Sequence, residues 1–150
     1  MQLEAGQLRL FLLDVLLISM VATGVELFLL EHTESNTQII PLVLLGIGFL
    51  ASLAVAGQPG RVTVAFFRGI MALFVLAGAV GLYLHYRSNI EFELEMNPAL
   101  AGWDLWRKTM MGATPTLSPG VMSQLGLLGL LYTYRNPRLQ SGAAQGKETS

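Results

Sequence analysis

In this 150-residue chain, the side chains best suited to metal binding or acid–base chemistry are two histidines and the acidic residues that follow the second one. His32 and His85 each follow a long apolar stretch, and Glu91 and Glu93 come shortly after His85. Imidazole and carboxylate groups bind zinc, manganese or iron, and paired carboxylates also serve as general acid and base. The spacing matches no helix-borne metal motif such as H-E-x-x-H.

Three hypotheses remain for this acidic cluster. The alternation of Glu91, Glu93 and Glu95 is typical of an extended segment with one solvated side, which predicts a solvated acidic rim. A surface that docks a basic partner is the second hypothesis. The third is a metal site at His32, His85, Glu91 and Glu93, or a haem held between the two histidines. We predict no cofactor and retain the metal or haem as an alternative.

A second set of polar side chains lies inside stretches that are otherwise apolar. A charge in hydrocarbon costs about 2.5 to 3.5 kcal/mol on insertion scales, so such groups normally face a bundle interior and find partners there. Counting residues along each stretch puts Asp14 and Arg68 at about the same depth, which predicts an ion pair between them. The same count puts Glu26 near the level of His85. The intramembrane candidates are Asp14, Ser19, Thr23, Glu26, Arg68 and Gln124.

These intramembrane groups have two interpretations. In the first, they hold helices together through hydrogen bonds and ion pairs. In the second, they form a proton or ion relay from Glu26 through Thr23 and Ser19 to Asp14. At about 100° per residue, Asp14 falls about 120° away from Glu26, so the four groups do not share one side of a helix. The helical geometry therefore favours the first interpretation.

The composition indicates which elements position these residues. Hydrophobic residues make up 53% of the chain and charged residues only 13%, about half the charged content of an ordinary soluble domain. The net charge of −1 and the scattered basic residues argue against a nucleic-acid partner. The chain has no cysteine, which excludes disulfides, thiolate metal sites and thiol catalysis. The bilayer is therefore the first expected partner.

Four apolar segments are long enough to predict membrane helices. About 20 residues cross the hydrocarbon core of a bilayer. The cluster Gly57-Gln58-Pro59-Gly60 separates the second segment from the third, and Asn136-Pro137 ends the fourth. We predict an all-α, four-helix transmembrane bundle over residues 1–138 and a disordered cytoplasmic tail over 139–150. The predicted helices cover 8–30, 39–56, 62–86 and 118–134.

The long connection over residues 87–117 should contain structure of its own. Apolar residues recur there at three- and four-residue steps, which predicts a short amphipathic helix over 98–111. Its tryptophans and basic residues suit either the membrane interface or docking onto a partner subunit. These residues are Trp103, Trp106, Arg107 and Lys108.

The distribution of Lys and Arg predicts the orientation. Cytoplasmic loops carry an excess of these residues. Arg9 precedes the first segment, Arg61 and Arg68 lie around the second loop, and the first loop has neither Lys nor Arg. Both termini are therefore expected in the cytoplasm of a cell, with 87–117 outside.

The sequence supports a non-enzymatic function best. It contains no phosphate-binding glycine loop and no plausible serine triad. We expect an accessory or structural subunit of a larger membrane complex, recognised through the outer loop and a helix face, with partner subunits or further copies of itself. A small transporter or ion-relay protein is the first alternative. An outer-face metal or redox enzyme is the second.

Overall fold

The computed structural model describes residues 2–112, 114–137 and 139, and it is all-helical. Helix accounts for 81% of it, with no strand in the described part. This confirms the predicted class of secondary structure. The five helices are α1 Gln2–Leu29, α2 Asn36–Gly57, α3 Arg61–Met96, α4 Gly102–Met110 and α5 Gly120–Thr133.

Three of these helices are long and apolar enough to cross a membrane, namely α1, α2 and α3. The last apolar helix, α5, has 14 residues and a length of about 21 Å, which is less than the ~30 Å of a hydrocarbon core. It is also shorter than the predicted segment 118–134. Of the predicted tail 139–150, only Leu139 lies within the described residues, and its side chain is buried.

Local sequence signals account for the boundaries of α2. The helix begins after Ser35, whose backbone N–H donates to Oε1 of Gln38 at 2.9 Å. This is the glutamine half of a capping box, and it satisfies a backbone donor that lacks a helical partner. At the other end, Pro59 and Gly60 interrupt the chain before α3 begins at Arg61. The connection is so short that α2 and α3 must run in opposite directions.

The third helix is much longer than the sequence indicated. It spans 36 residues, about 54 Å, and continues ten residues past the predicted end at residue 86. Arg87 donates to Glu91 at 2.8 Å one turn later, and residues 87–97 contain no Gly or Pro. The expectation of an extended acidic segment was therefore wrong. On a helix, Glu93 points away from Glu91 instead of sharing its side.

Helix packing follows a simple order. α1 packs on α2 and α5, α3 packs on the same two helices, and α4 packs on α3. The most extensive contact joins α3 to α5. There, Ser123 lies directly against Gly78 and donates to the carbonyl of Val75 at 2.9 Å. A Cβ at Gly126 would lie 2.8 Å from Cγ2 of Val75, so only glycine permits this approach.

The core lies where α1, α2, α3 and α5 meet. One side of α1 enters it through Leu13, Leu16, Met20 and Thr23, which recur at three- and four-residue steps. Gly48 of α2 leaves room for the ring of Phe74. The largest fully buried side chains are Phe67, Phe74, Leu16, Met20, Met71 and Val55.

Candidate functional site

The part of the fold with the most side-chain hydrogen bonds is the cap, which we define as residues 85–96 of α3, all of α4 and the connecting residues 111–112 and 114–119. Three polar residues of α3 form its spine: His85, Asn89 and Glu93. They are four residues apart and therefore lie on one side of the helix. The upper part of α3 thus presents a polar edge to the rest of the cap.

Asn89 holds the cap together. Its side chain is only 3% exposed. Nδ2 lies 2.7 Å from the carbonyl of Thr114 and 3.0 Å from both the carbonyl of Thr109 and Oγ1 of Thr116. Oδ1 accepts from Oγ1 of Thr114 at 2.6 Å. One amide therefore ties α3 to the end of α4 and to the connection that follows.

Close backbone approach accompanies this network. A Cβ added to Gly112 would lie 2.8 Å from Cγ of Asn89, so the connection fits against the amide only as glycine. One turn earlier on α3, Nδ1 of His85 lies 3.2 Å from the carbonyl of Pro115. The connection is thus held at two successive turns of α3. The position of the connection is therefore set by the spacing of His85 and Asn89 on that helix.

A hollow lies beside the third residue of the spine. It has a volume of about 210 Å³ and is lined by Glu93, Arg107, Lys108 and Met111. Pockets that enclose drug-sized ligands usually measure about 300 to 1,000 Å³. With one carboxylate against two cations, the hollow is suited to water and small polar groups.

The exposed side of α4 carries the aromatic residues identified from the sequence. Trp103 and Trp106 stack on each other, with ring centroids 4.5 Å apart and ring planes 20° apart. They are 69% and 43% exposed. Arg107 and Lys108 follow directly and are also exposed. All four predicted docking residues therefore lie together on the surface of the cap.

The structure does not assemble the predicted metal ligands His32, His85, Glu91 and Glu93 into one site. His32, in the turn after α1, lies close enough to His85 for their charges to interact. Glu91 is engaged with Arg87, and Glu93 lines the hollow. No group of three or more His, Asp or Glu side chains is placed to hold a metal within the described part of the chain.

The predicted intrachain ion pair between Asp14 and Arg68 is absent, and that expectation was wrong. The only salt bridge among the described residues joins Arg87 to Glu91. Leu16 is fully buried, and a residue two positions away on a helix points about 200° from it, so Asp14 faces outward. Arg68 instead turns toward the end of α5.

The other intramembrane candidates are also dispersed. Thr23 is buried and Ser19 is half-buried, whereas Glu26 and Gln124 are exposed. Neither exposed side chain has a hydrogen bond in the described structure, and the predicted pairing of Glu26 with His85 is not formed. Thr23 lies on the buried side of α1 with Leu16, whereas the carboxylates of Asp14 and Glu26 lie on the exposed side. The described residues therefore contain no continuous polar path along α1.

Two arginines, Arg9 and Arg68, bind the end of α5, a contact that was not predicted from the sequence. Nε and Nη2 of Arg68 donate to Oγ1 and the carbonyl of Thr133 at 3.1 and 3.0 Å. Arg9 donates to the carbonyls of Tyr134 and Arg135 at 3.1 and 2.9 Å. Positive charge is favourable at a helix C terminus, where backbone carbonyls lack partners. The sequence contained one signal for this contact: Arg9 and Arg68 both lie near the cytoplasmic ends of their predicted helices, where the fourth helix was predicted to end.

The fold and these surfaces together define an all-helical protein with three helices suited to a membrane and a structured cap on one of them. Comparisons with protein-family models, curated proteins and solved structures find no match.

Asn89→Leu is expected to loosen the cap, because the donors and acceptors around the amide lose their partner inside the fold. The expected cost is about 1 to 3 kcal/mol of local stability. Trypsin cleavage after Arg107 and Lys108 measures the opening directly and should become faster in detergent-solubilised protein. Glu95→Gln, on the exposed side of the same helix, is the matched control. Equal cleavage rates for Asn89→Leu and the parent would contradict a supporting role for Asn89.

Stability is expected to fall in mild acid because of His32. Burial first, and then the nearby His85, lowers the pKa of His32 below its usual value near 6.5. Below pH 6.5 the unfolded chain therefore binds a proton at His32 more readily than the folded chain does. The free energy of unfolding is highest above pH 6.5 and decreases as the pH falls toward the pKa of His32 in the folded chain.

An NMR titration of the histidine ring protons tests this prediction, because the chain contains only two histidines. His32→Gln should reduce the difference in thermal unfolding temperature between pH 7 and pH 5. His85→Gln should raise the pKa of His32 only in part, since burial is the larger cause. A His32 pKa at or above 6.5 would contradict the interpretation.

Proposed function

We propose that this protein is a non-enzymatic, multi-pass membrane protein that serves as a structural or accessory subunit of a larger membrane assembly. In this proposal α1, α2, α3 and α5 form a four-helix bundle in a cell membrane, with both termini in the cytoplasm. The short α5 is accommodated against α3, and the cap projects outside. The cap is the surface that another subunit recognises.

The stacked tryptophan pair on a rigid cap is the observation that supports this proposal most. Trp103 and Trp106 are exposed although the Asn89 network orders the helix that carries them. Tryptophan and arginine are the residues most enriched at energetically important protein contacts. A helix that is already ordered loses little further conformational entropy when it binds. The pair thus has the composition and the preorganisation of a docking surface.

The first alternative is a small transporter or ion-relay protein. A relay needs polar groups that line one water-accessible path. Thr23 faces the core whereas Asp14 and Glu26 face outward, so these groups do not line a common path within the described residues. The geometry therefore favours the subunit role over the relay.

The second alternative, an outer-face metal or redox enzyme, depends on His32 and His85. His32 lies within the range of electrostatic interaction with His85, but no group of three or more His, Asp or Glu side chains that could hold a metal occurs among the described residues. Two imidazoles alone leave the coordination of a zinc or iron ion incomplete. The subunit role requires no further ligand, and we prefer it on that ground.

The proposed orientation predicts which introduced cysteines react from each side of the membrane. Because the chain contains no cysteine, Glu34→Cys and Glu93→Cys each provide a single labelling site. In intact cells, both should react with a membrane-impermeant maleimide added outside. Modification of either site only after the cells are opened would refute the orientation. A cysteine at Ser150 should show the opposite behaviour.

The subunit role predicts a partner that depends on the cap. The tagged full-length chain, extracted from its native membrane in a gentle detergent, should co-purify with another membrane protein at a fixed ratio. Trp103→Ala combined with Trp106→Ala should reduce the amount of this partner at least tenfold. The expected cause is the loss of two large contact surfaces at the centre of the interface.

The control is Phe28→Ala combined with Tyr83→Ala, which removes two exposed aromatic residues from outside the cap. It should retain the partner. Two outcomes contradict the proposal: purification of the chain without any other protein at a fixed ratio, or a partner that the tryptophan variant retains in full.

A further inference from the structure

The outward side of α1 has an unusual composition for a membrane helix. Asp14 lies at its centre, almost opposite the buried Leu16. It is surrounded by large apolar side chains, with Phe11 63%, Ile18 69% and Val21 53% exposed. The Asp14 carboxylate has no hydrogen bond or ion pair within the described structure. A lone carboxylate in hydrocarbon is costly, so this face requires a partner that supplies donors at the same depth.

Arg68 offers such donors on the outward side of α3. Its Nε and Nη2 bind Thr133, but Nη1 has no partner among the described residues. The side chain is exposed despite its position on an apolar helix. An outward stripe beside it consists mostly of small residues, which let another helix approach closely. This stripe comprises Ala65, Gly69, Ala72, Leu76 and Ala79, all of them exposed.

The two charged groups lie near the same end of the molecule. Arg9 and Arg68 bind carbonyls of adjacent residues, at Tyr134 and Thr133 respectively. Met20 of α1 and Phe74 of α3 both lie against Gly48 of α2. Each is six residues further along its helix than Asp14 or Arg68, so the Cα atoms of the two charged residues lie at similar depths.

Within one chain these groups do not meet: Asp14 and Arg68 are both exposed, and the Arg68 guanidinium binds Thr133. The two helices run in the same direction, since short connections join each of them to α2 and both pack on it. The α1 face of one copy can thus lie alongside the α3 face of another with the charges aligned.

We propose that the protein self-associates head to tail in the membrane, with Asp14 on α1 of one copy paired to Arg68 on α3 of the next. The bulky side chains of the α1 face fill the stripe of small residues on α3. Because the two faces differ, the contact is heterologous and extends to a ring or a row of copies. This inference goes beyond the proposed subunit role and does not depend on what binds the cap.

Disulfide trapping between two differently tagged copies tests the proposal. Ile18 and Ala72 each lie one turn beyond the charged residue on their own helix, so the pairing brings these two positions together. One copy carries Ile18→Cys, the other Ala72→Cys, and each has no other cysteine. Mild oxidation of membranes that contain both copies should produce a disulfide-linked heterodimer. Membranes that contain either copy alone should produce at least fivefold less dimer.

The position control replaces Ile18→Cys by Val25→Cys, two turns further along the exposed side of α1. It should give little heterodimer, because Val25 lies about 10 Å from the level of Ala72. Adding Asp14→Leu to the Ile18→Cys copy should reduce the heterodimer severalfold while that copy remains in the membrane at an unchanged level.

Three results would overturn the proposal: no heterodimer, equal trapping with Val25→Cys, or preferential trapping of Ile18→Cys with itself, which indicates a symmetric contact. None of these results depends on the cap. Loss of the cap partner after tryptophan replacement tests the subunit role separately, so the two proposals can fail independently.

Discussion

The close contact between α3 and α5 is the interaction on which the rest of the structure depends. Glycines on both helices remove the side chains that would separate them, and Ser123 closes the contact with a hydrogen bond to Val75. At one end Pro119 lies against Gly81, and at the other Arg68 binds Thr133. Because α5 is only 14 residues long, a length at which an isolated helix is marginally stable, it depends on these contacts.

The cap depends on the continuation of α3 beyond its apolar part. As a helix, this stretch places His85, Asn89 and Glu93 on one side at steps of about 6 Å, and the Asn89 amide reaches two segments of the chain at once. Buried amides are strongly selective for geometry, since an unsatisfied donor or acceptor costs about 1 to 3 kcal/mol. The exposed tryptophans are therefore presented by an ordered support.

The positions of the charges on α1 and α3 connect folding to assembly. Burial of Leu16 and its neighbours determines which side of α1 faces the core, and Asp14 necessarily points the other way. Arg68 compensates part of its own desolvation by binding the end of α5. Asp14 has no such contact among the described residues, and in the proposed self-association the next copy supplies its partner.

Apolar composition and helix-breaking residues determined the helical class and three of the membrane-length segments, because length and hydrophobicity act locally. A short helix that carries Trp103 and Trp106 was also predictable from helical periodicity. The contacts of Asp14 and Arg68 could not be predicted from the sequence, because equal depth in a bundle does not specify which helices are neighbours. The tertiary structure also decided that residues 87–96 of α3 support a cap, through Asn89 contacts that join residues 20 to 27 positions apart. The spacing of residues along one helix predicts which of them share a side, but it does not predict contacts with a distant segment of the chain.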